Sequence, residues 1–448
     1  MTDYALKAPK INGGESLKRS KLILPLLLCL LFLAGCSGEA IESYFSLPKS
    51  SDDYLQLQEL VDAEIASGCE YAAPSGGSYR QSLQLHDLDG DGEDEAVVFL
   101  RDAAHNGRIV IYKLYRGRYE AVLTLRGEGT AVGSVDYSDL NGDGAAELSV
   151  AWRVGQGLKY LTVYDLDGWG GAELLSCGCS EFIICDMDGS GPDELMVIDA
   201  EADGGGSVSL YLLAKNADAL CLTARLSRGV SELERIRSCL LEDDVPALLV
   251  ESACEDGALV SDLFVLQNEE LQNITLNNET GISRTKRSYT VYASDIDSDR
   301  HIEIPSPSSL FSQSTADRFW SIAWNGYSAD GEPTEKLDSY HSYADGWYFI
   351  LPDGWHETLT VRRADDITGE RSIILSELNR STGEVSDKLI IYTLTGENRQ
   401  ERSHIAGRFV IREEDTTIYA ASIISGISEE EVKERFKLAY AEWSTGAV

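Results

Sequence analysis

The sequence predicts a mainly β fold built from repeated antiparallel sheets, and three observations support that prediction. A nine-residue acidic motif recurs along the chain at a period near 50 residues. Each copy is followed by an apolar strand and, after a short turn, by a second strand. Two of these turns contain Asn106-Gly107 and Asp256-Gly257, pairs that are strong hairpin signals. A period near 50 made of antiparallel strands indicates a β-propeller. We expect about five to six blades, with seven as the alternative.

Residues 1–35 are predicted to be a signal peptide rather than part of the fold. A basic stretch precedes the apolar run "LILPLLLCLLFLAG", which is too short to span a bilayer well. The run ends in Leu33-Ala34-Gly35-Cys36, which resembles the lipobox of bacterial lipoproteins. The resemblance implies lipidation at Cys36 and anchoring to the bacterial cell envelope, at the outer face of the cell membrane. The alternative is an ordinary signal peptide or a short anchor.

Two short segments precede the repeats. Residues 36–50 are predicted to form a tether. Residues 51–68 are predicted to form an amphipathic helix, because Leu57, Val61 and Ile65 fall on one face. Gly68 is a stop signal at its end. We expect this helix to pack against the propeller as an edge or cap.

The acidic motif has four clear copies, beginning at Asp87, Asp139, Asp186 and Asp295. The last spacing is about two periods, so a decayed copy is expected between the third and fourth. The stretch "CLLEDDVPALLVES" (239–252) lies there, with Cys239 and Leu241 in place of the first two acids. We therefore predict a fifth repeat without a metal site.

The motif is not an EF-hand, although its alternating acids resemble one. An EF-hand needs Glu at loop position 12 and a flanking helix. Here position 12 is Val98, Val150, Val197 or Ser306, the acid lies at position 9, and a strand follows. The motif is similar to the FG-GAP repeats of integrin α-type propellers and to related bacterial repeats of the VCBS kind. That resemblance implies calcium bound by side chains at positions 1, 3, 5 and 9 and by the carbonyl of position 7.

The resemblance therefore implies up to four structural Ca²⁺ sites. The candidate ligands are Asp87, Asp89, Asp91, Glu93 and Glu95 in the first loop; Asp139, Asn141, Asp143, Ala145 and Glu147 in the second; Asp186, Asp188, Ser190, Pro192 and Glu194 in the third; and Asp295, Asp297, Asp299, His301 and Glu303 in the fourth. Calcium prefers several oxygen ligands around a flexible loop, as these acids provide.

Two of the four sites depart from the pattern, and an alternative exists for all of them. Ser190 replaces an acid in the third loop, which predicts weaker binding. The fourth loop has Ser298 and Arg300 where the others have glycine, which a positive φ favours. The alternative reading is a set of acidic turns without metal.

The repeats are predicted to span 69–339, and a small α+β domain is predicted over 340–448. Several strand-like runs lie in the second region. Ser428 and Glu431 predict a helix start. Val432, Phe436, Ala439, Tyr440 and Trp443 predict an apolar stripe along that helix. The alternative is that these strands complete further blades. The neighbouring Trp and Tyr residues of 320–355 are expected to be core.

Composition narrows the function. With 38 basic against 75 acidic residues, the net charge is −37, which excludes nucleic acid as a partner. The sequence contains no G-x-S-x-G, H-E-x-x-H or Walker motif. We therefore expect no enzymatic activity, but a lipid-anchored extracytoplasmic protein that binds a protein or glycan. The alternatives are a glycan hydrolase or lyase with its site on the propeller axis, and a structural protein of envelope assembly.

Overall fold

A computed structural model describes residues 52–439 except 128, 156–157, 201–204, 215–218 and 312–317. The predicted signal peptide, Cys36 and the tether lie outside the described residues. The described residues divide into two compact units, 52–64 with 115–119, and 65–114 with 120–439. Within the described part of the chain, no helix combines the length and apolar character needed to cross a membrane.

The first unit contains most of helix α1 (Asp52–Ala66) and the hairpin end 115–119. Leu57 and Val61 are almost fully buried, as their spacing predicted. The backbone N–H of Tyr119 donates to Oε1 of Gln56 at 3.2 Å. Beyond the helix, Gly68 adopts a φ of +103° and its N–H donates to the carbonyl of Ile65, so it is the predicted stop.

The second unit is mainly β, which confirms the coarse fold class. Sheet I contains β1 (Glu70–Tyr71), β2 (Leu83–His86), β3 (Glu95–Arg101), β4 (Gly107–Tyr115) and β5 (Arg118–Arg126). Sheet II contains β6 (Ala131–Ser138), β7 (Glu147–Arg153), β8 (Lys159–Asp165) and β9 (Ala172–Cys179). Sheet III contains β10 (Glu181–Cys185), β11 (Glu194–Asp199), β12 (Ser207–Leu212) and β13 (Leu220–Arg225). Sheet IV contains β14 (Val230–Leu240), β15 (Pro246–Cys254), β16 (Leu259–Gln267) and β17 (Glu270–Asn273).

Sheets II to IV are antiparallel meanders in chain order, and sheet I follows the same order from β2 to β5. A two-stranded sheet of β18 (Leu276–Asn277) and β19 (Ile282–Ser283) follows. Sheet V then contains β20 (Ile304–Ser309), β21 (Trp320–Tyr327), β22 (Pro333–Ser342) and β23 (Trp347–Ile350). After helix α2 (Trp355–Thr358), sheet VI contains β24 (Leu359–Ile367), β25 (Glu370–Leu378), β26 (Val385–Thr395), β27 (Phe409–Glu413) and β28 (Thr417–Ile423), with helix α3 (Arg399–Ser403) between β26 and β27.

The predicted strands after each acidic motif are confirmed, including the one in the decayed copy. Their apolar runs explain their burial: all of β3 except Arg101 is buried, as is most of β7, β11, β15 and β16. Apolar clusters join sheets I and II, II and III, III and IV, IV and V, and V and VI. Consecutive sheets therefore share cores, and the hydrophobic effect holds them face to face.

The end of the chain differs from the prediction. The predicted boundary between 339 and 340 falls inside β22, which is hydrogen-bonded to both β21 and β23. The capping box at Ser428 is confirmed, but helix α4 covers only Glu429–Arg435. Phe436 then starts strand β29 (Phe436–Leu438), which pairs with β23. The helical stripe was wrong at Phe436 because pairing with Phe349 and packing against Trp347 outweigh continuing the helix. Tyr440 and Trp443 lie outside the described residues.

Most of the predicted aromatic core is confirmed. Trp324 and Trp347 are fully buried, and Tyr340 and Tyr348 nearly so. The seven cysteines between Cys69 and Cys254 are free thiols.

Candidate metal centres

The four acidic loops have a common frame. We name them loop 1 (87–95), loop 2 (139–147), loop 3 (186–194) and loop 4 (295–303), and count positions from the first aspartate. Each is closed by an antiparallel pair in which position 9 faces the residue before position 1. The pairs are His86 with Glu95, Ser138 with Glu147, Cys185 with Glu194, and Ser294 with Glu303. A strand follows position 9 each time, as predicted.

The aspartate at position 1 holds the loop backbone together. Its Oδ2 accepts the N–H of position 6 in every loop, at 2.9 Å from Gly92 and Gly144 and 3.0 Å from Gly191 and Arg300. The side chain of position 5 accepts the N–H of position 7 from Glu93, Ala145 and His301. Pro192 occupies position 7 in loop 3 and has no N–H to donate. These are the turns that short acidic side chains favour.

Positions 4 and 6 are left-handed in all four loops. The glycines at position 6 have φ of +88°, +90° and +104°, which confirms that a positive φ is needed there. In loop 4, Arg300 and Ser298 take the same conformation, with φ of +78° and +68°. Residues with a side chain rarely adopt this conformation. The side-chain contacts of loop 4 therefore hold a backbone that its own residues disfavour.

The glutamate at position 9 is the buried acid of each loop. Glu95, Glu147 and Glu303 are at most 1% exposed, and Glu194 is 7% exposed. One carboxylate oxygen accepts the N–H of position 2 in every loop, at 2.8 or 2.9 Å. Burial raises the pKa of Glu147 to about 7 and that of Glu303 to about 8. A buried carboxylate of this kind needs a positive partner if it is to remain ionised.

Loop 1 has a positive partner within the chain. Nζ of Lys113 lies 2.8 Å from Asp89, 2.7 Å from Asp91 and 2.7 Å from Glu95. Burial alone would lower the pKa of Lys113, but the hydrogen bonds to these carboxylates raise it. The ammonium contacts three of the four side chains that were predicted to bind calcium in this loop.

Loop 2 has an additional carboxylate beside it instead, that of Asp165 at the end of β8. Asp143, Glu147 and Asp165 each offer a ligand atom, and these atoms lie within 4.8 Å of one another. Asn141 donates to Glu147 at 2.6 Å, and Asp139 anchors the backbone. Two oxygens bound to one calcium, each at 2.3–2.6 Å, are separated by at most about 5 Å. The residues of loop 2 therefore fit calcium.

Loop 3 offers fewer acids. Atoms of Asp186, Asp188 and Glu194 also lie within 4.8 Å of one another. The backbone N–H of Ser190 donates to Asp188 at 2.7 Å. The loop fits calcium with one carboxylate fewer at position 5, consistent with the weaker site that the sequence predicts.

Loop 4 is partly neutralised from outside. Nζ of Lys336 lies 3.0 Å from Asp299 and 3.9 Å from Asp297, and it also contacts Glu242 at 2.8 Å. His301, at position 7, is paired with Asp244 and Asp299. Oε1 of Glu303 and Oε1 of Glu242 are buried without a hydrogen-bond partner. Lys336 therefore leaves one carboxylate oxygen of the buried Glu303 without a hydrogen-bond donor.

The decayed copy in sheet IV lacks the acids of positions 3 and 9, although its Glu242 and Asp244 pair with Lys336 and His301. Leu241 stands at position 3 and Ala247 at position 9, and both are fully buried in one apolar cluster with Val265. That this repeat has no metal site of its own stays a prediction. Apolar packing fills here the place that charged groups fill in the other loops.

Four residues of these centres were missed by the sequence reasoning: Lys113, Asp165, Glu242 and Lys336. Two of them lie in strands at a recognisable place. Ala96 pairs with Tyr112 and Leu148 pairs with Tyr164, so Lys113 and Asp165 stand opposite the position 9 glutamates. In the sequence, the residue directly after Tyr112 or Tyr164 could therefore have been recognised as a neighbour of the position 9 glutamate. No comparable pattern marks Glu242 or Lys336.

Away from the loops, one cavity gathers residues of several sheets. Its volume is about 550 Å³, and its lining includes segments of β6, β10 and β14 together with Gly77 and Ser78 before β2. Asp136, Glu181, Glu234 and Arg235 are its charged residues. Burial raises the pKa of Asp136.

Comparisons with known proteins do not identify the chain. No protein-family model matches it, and no curated protein matches it. Among solved structures, the chain is similar to Sqt1 of Saccharomyces cerevisiae, with a TM-score of 0.29 and 10% identity, covering 77% of this chain and 95% of that chain. At this TM-score the similarity supports no statement about fold or function.

Proposed function

We propose that the protein is a lipid-anchored, extracytoplasmic binding protein built on a calcium-stabilised β-propeller, with a protein or glycan as ligand. The observation that carries the proposal is the repetition of one loop geometry between two consecutive strands in each of sheets I, II and III. A repeated unit with a fixed ion-binding loop is typical of an extracellular interaction scaffold rather than of a single catalytic centre.

Two features support the propeller. Each sheet shares an apolar core with the next, from sheet I to sheet VI. The first strands of sheets II, III and IV, and the segment before β2, contribute to the same cavity. In a propeller the first strand of every blade lines a central channel. Sheets I to VI would then be six blades, at the upper end of the predicted number.

Calcium is proposed as a structural ion in loops 2, 3 and 4. Loops 2 and 3 contribute oxygen ligands at separations that suit calcium, and all three loops bury a glutamate. When bound, the ion would neutralise the acids and stabilise the connection between two strands. Extracellular calcium modules bind with Kd of about 10⁻⁴–10⁻³ M, which suits an exported protein.

The lipid anchor rests on the sequence around Cys36. We expect Cys36→Ala to abolish incorporation of labelled palmitate and to leave an uncleaved precursor. A mutant chain that still incorporates the label would refute the anchor without bearing on calcium or on the propeller.

The binding role is tested with the soluble chain that starts after Cys36. Immobilised protein is exposed to solubilised native envelope and, separately, to an array of bacterial glycans, in calcium and in EGTA. We expect a ligand retained in calcium and lost by the cavity variant Asp136→Asn/Glu234→Gln, while the exposed control Glu173→Gln retains it. If both variants capture the ligand equally, the cavity is not the binding site.

The cavity also favours a second candidate function. Asp136 is a half-buried carboxyl whose pKa is raised by desolvation, and Glu181 and Glu234 line the same cavity. Glycosidases use such a pair of carboxyl groups, one protonated and one ionised. Release of reducing ends from envelope polysaccharide, lost in Asp136→Asn, would favour a glycan-active enzyme. Capture without turnover would favour the binding protein.

A further inference from the structure

Lys113 lies where a metal ion would be expected in loop 1. Its Nζ is within 2.8 Å of carboxylate oxygens from positions 3, 5 and 9. An ammonium group has three N–H donors, and three carboxylates accept them here. We infer that Lys113 is an internal cation that closes loop 1 to calcium, an inference that rests on the proposed calcium binding of the other loops.

The surroundings fix the ammonium in this place. The Lys113 side chain is 8% exposed and that of Glu95 is 1% exposed. Nζ also lies 5.6 Å from the ring centroid of Trp169, a cation–π distance. Calcium could enter only if the lysine left three charge-assisted hydrogen bonds and exposed or reburied its charge elsewhere.

The register of the sheets places a different residue opposite position 9 in loops 1, 2 and 3 and in the decayed copy. The residue opposite position 9, directly after Tyr112, Tyr164 or Tyr211, is Lys113 in loop 1, Asp165 in loop 2 and Leu212 in loop 3. In the decayed copy, Leu248 pairs with Phe264, and Val265 takes this place. The cross-strand residue thus supplies a positive charge, a further oxygen ligand, or only apolar surface.

Lys336 does not close loop 4 in the same way. It reaches Asp299 at 3.0 Å but Asp297 only at 3.9 Å, and Oε1 of Glu303 keeps no hydrogen-bond partner. The inference is therefore restricted to loop 1, where the lysine contacts the buried glutamate itself.

Equilibrium dialysis with ⁴⁵Ca²⁺ on the soluble chain tests the inference. Lys113→Met should bind one equivalent more than wild type. Asp165→Lys, which places the lysine of loop 1 in loop 2, should bind one equivalent fewer. Lys286→Met removes the same charge from an exposed ion pair with Asp256 and should leave the number unchanged.

The outcomes distinguish a failure of the proposed calcium binding from a failure of the inference about Lys113. If neither wild type nor any variant binds calcium, the proposed function fails, and the inference fails with it. If wild type binds calcium but Lys113→Met gains no equivalent, the inference alone is overturned. Should Lys113→Met fail to fold, Asp165→Lys decides: a folded variant that loses one equivalent supports the inference, and one that loses none overturns it.

Discussion

Glu147→Gln in loop 2 separates the cost of burying a carboxylate from the gain of binding an ion. Glu147 is 1% exposed, and burial raises its pKa from 4.5 to about 7. At about 1.4 kcal/mol per pH unit, holding it ionised at pH 8 costs the metal-free protein roughly 3 kcal/mol. Below pH 4.5 Glu147 is protonated in both the folded and the unfolded chain, so the cost is absent. The metal-free protein loses this stability as the pH rises from 4.5 to about 7. The neutral amide of Gln avoids that cost, so the variant should be more stable than wild type in EGTA at pH 8.

Calcium should reverse this advantage. At 100 times its Kd, one bound ion stabilises the folded protein by about 2.7 kcal/mol. Wild type gains this from loop 2 and the variant does not, whereas the other loops contribute equally to both. The difference in unfolding free energy between the two proteins should therefore change by about 2.7 kcal/mol when calcium replaces EGTA.

Urea unfolding at pH 8, in EGTA and in calcium, measures both effects. Glu173→Gln makes the same change at an exposed position in the same sheet and should show neither. If calcium stabilises Glu147→Gln as much as wild type, loop 2 is not a calcium site. If the variant is the less stable protein in EGTA, Glu147 is not held against a burial cost.

Three further predictions concern the fold and the loops. The Arg287 guanidinium lies 2.9 Å from the carboxylate of the fully buried Glu251. Arg287→Met leaves that carboxylate without a cation and should lower the free energy of unfolding in urea by about 3–5 kcal/mol. Adding Glu251→Gln to the same chain should restore part of the loss. Burial lowers the pKa of His341 to about 3. The contribution of the neutral imidazole to stability is therefore complete above pH 6.5, and several kcal/mol of it are lost as the pH falls towards 3. The unfolding free energy of His341→Phe should fall less between pH 7 and pH 4 than that of wild type. Gly144→Ala should lower stability by about 1–2 kcal/mol because φ is +90° at this residue. Gly178→Ala has equally open space and no positive φ, so it should leave stability unchanged. Equal melting temperatures for the two variants would contradict the role of the backbone conformation.

Most features of the fold that could be predicted from the sequence were predicted from the repeated acidic motif. Acids at positions 1, 3, 5 and 9 and glycine at position 6 are local signals, and the structure gives the corresponding turns and strands in each copy. The apolar runs after each motif predicted buried strands because alternation is lost when both faces of a strand are covered. The decayed copy was recognisable because its apolar run lies where the spacing of the neighbouring copies requires a repeat.

The charges that complete each centre could not be predicted in this way. Lys113 comes from a neighbouring strand, and Glu242 and Lys336 come from outside the loop that they meet, so only the register and packing bring them in. The end of the chain failed for a related reason. The apolar spacing from Val432 fits a helix, but Phe436 gains more from pairing with β23 and packing against Trp347 than from another helical turn.

The surroundings of position 9 therefore differ among loops 1, 2 and 3 and the decayed copy. The buried acid at position 9 lies beside the ammonium of Lys113 in loop 1 and beside the further carboxylate of Asp165 in loop 2, whereas loop 3 has one acid fewer around it. Where the acid is replaced by Ala247, apolar contacts suffice. Removing the charge altogether and neutralising it are both compatible with burial, whereas an uncompensated charge is not.

Calcium binding by single-loop variants tests the central claim most directly. Equilibrium dialysis with ⁴⁵Ca²⁺ should show that Glu147→Gln and Glu194→Gln each lose one equivalent relative to wild type. Glu95→Gln should lose none, because Lys113 already serves loop 1. A wild-type chain that binds no calcium, or a Glu95→Gln variant that loses an equivalent, would contradict the account.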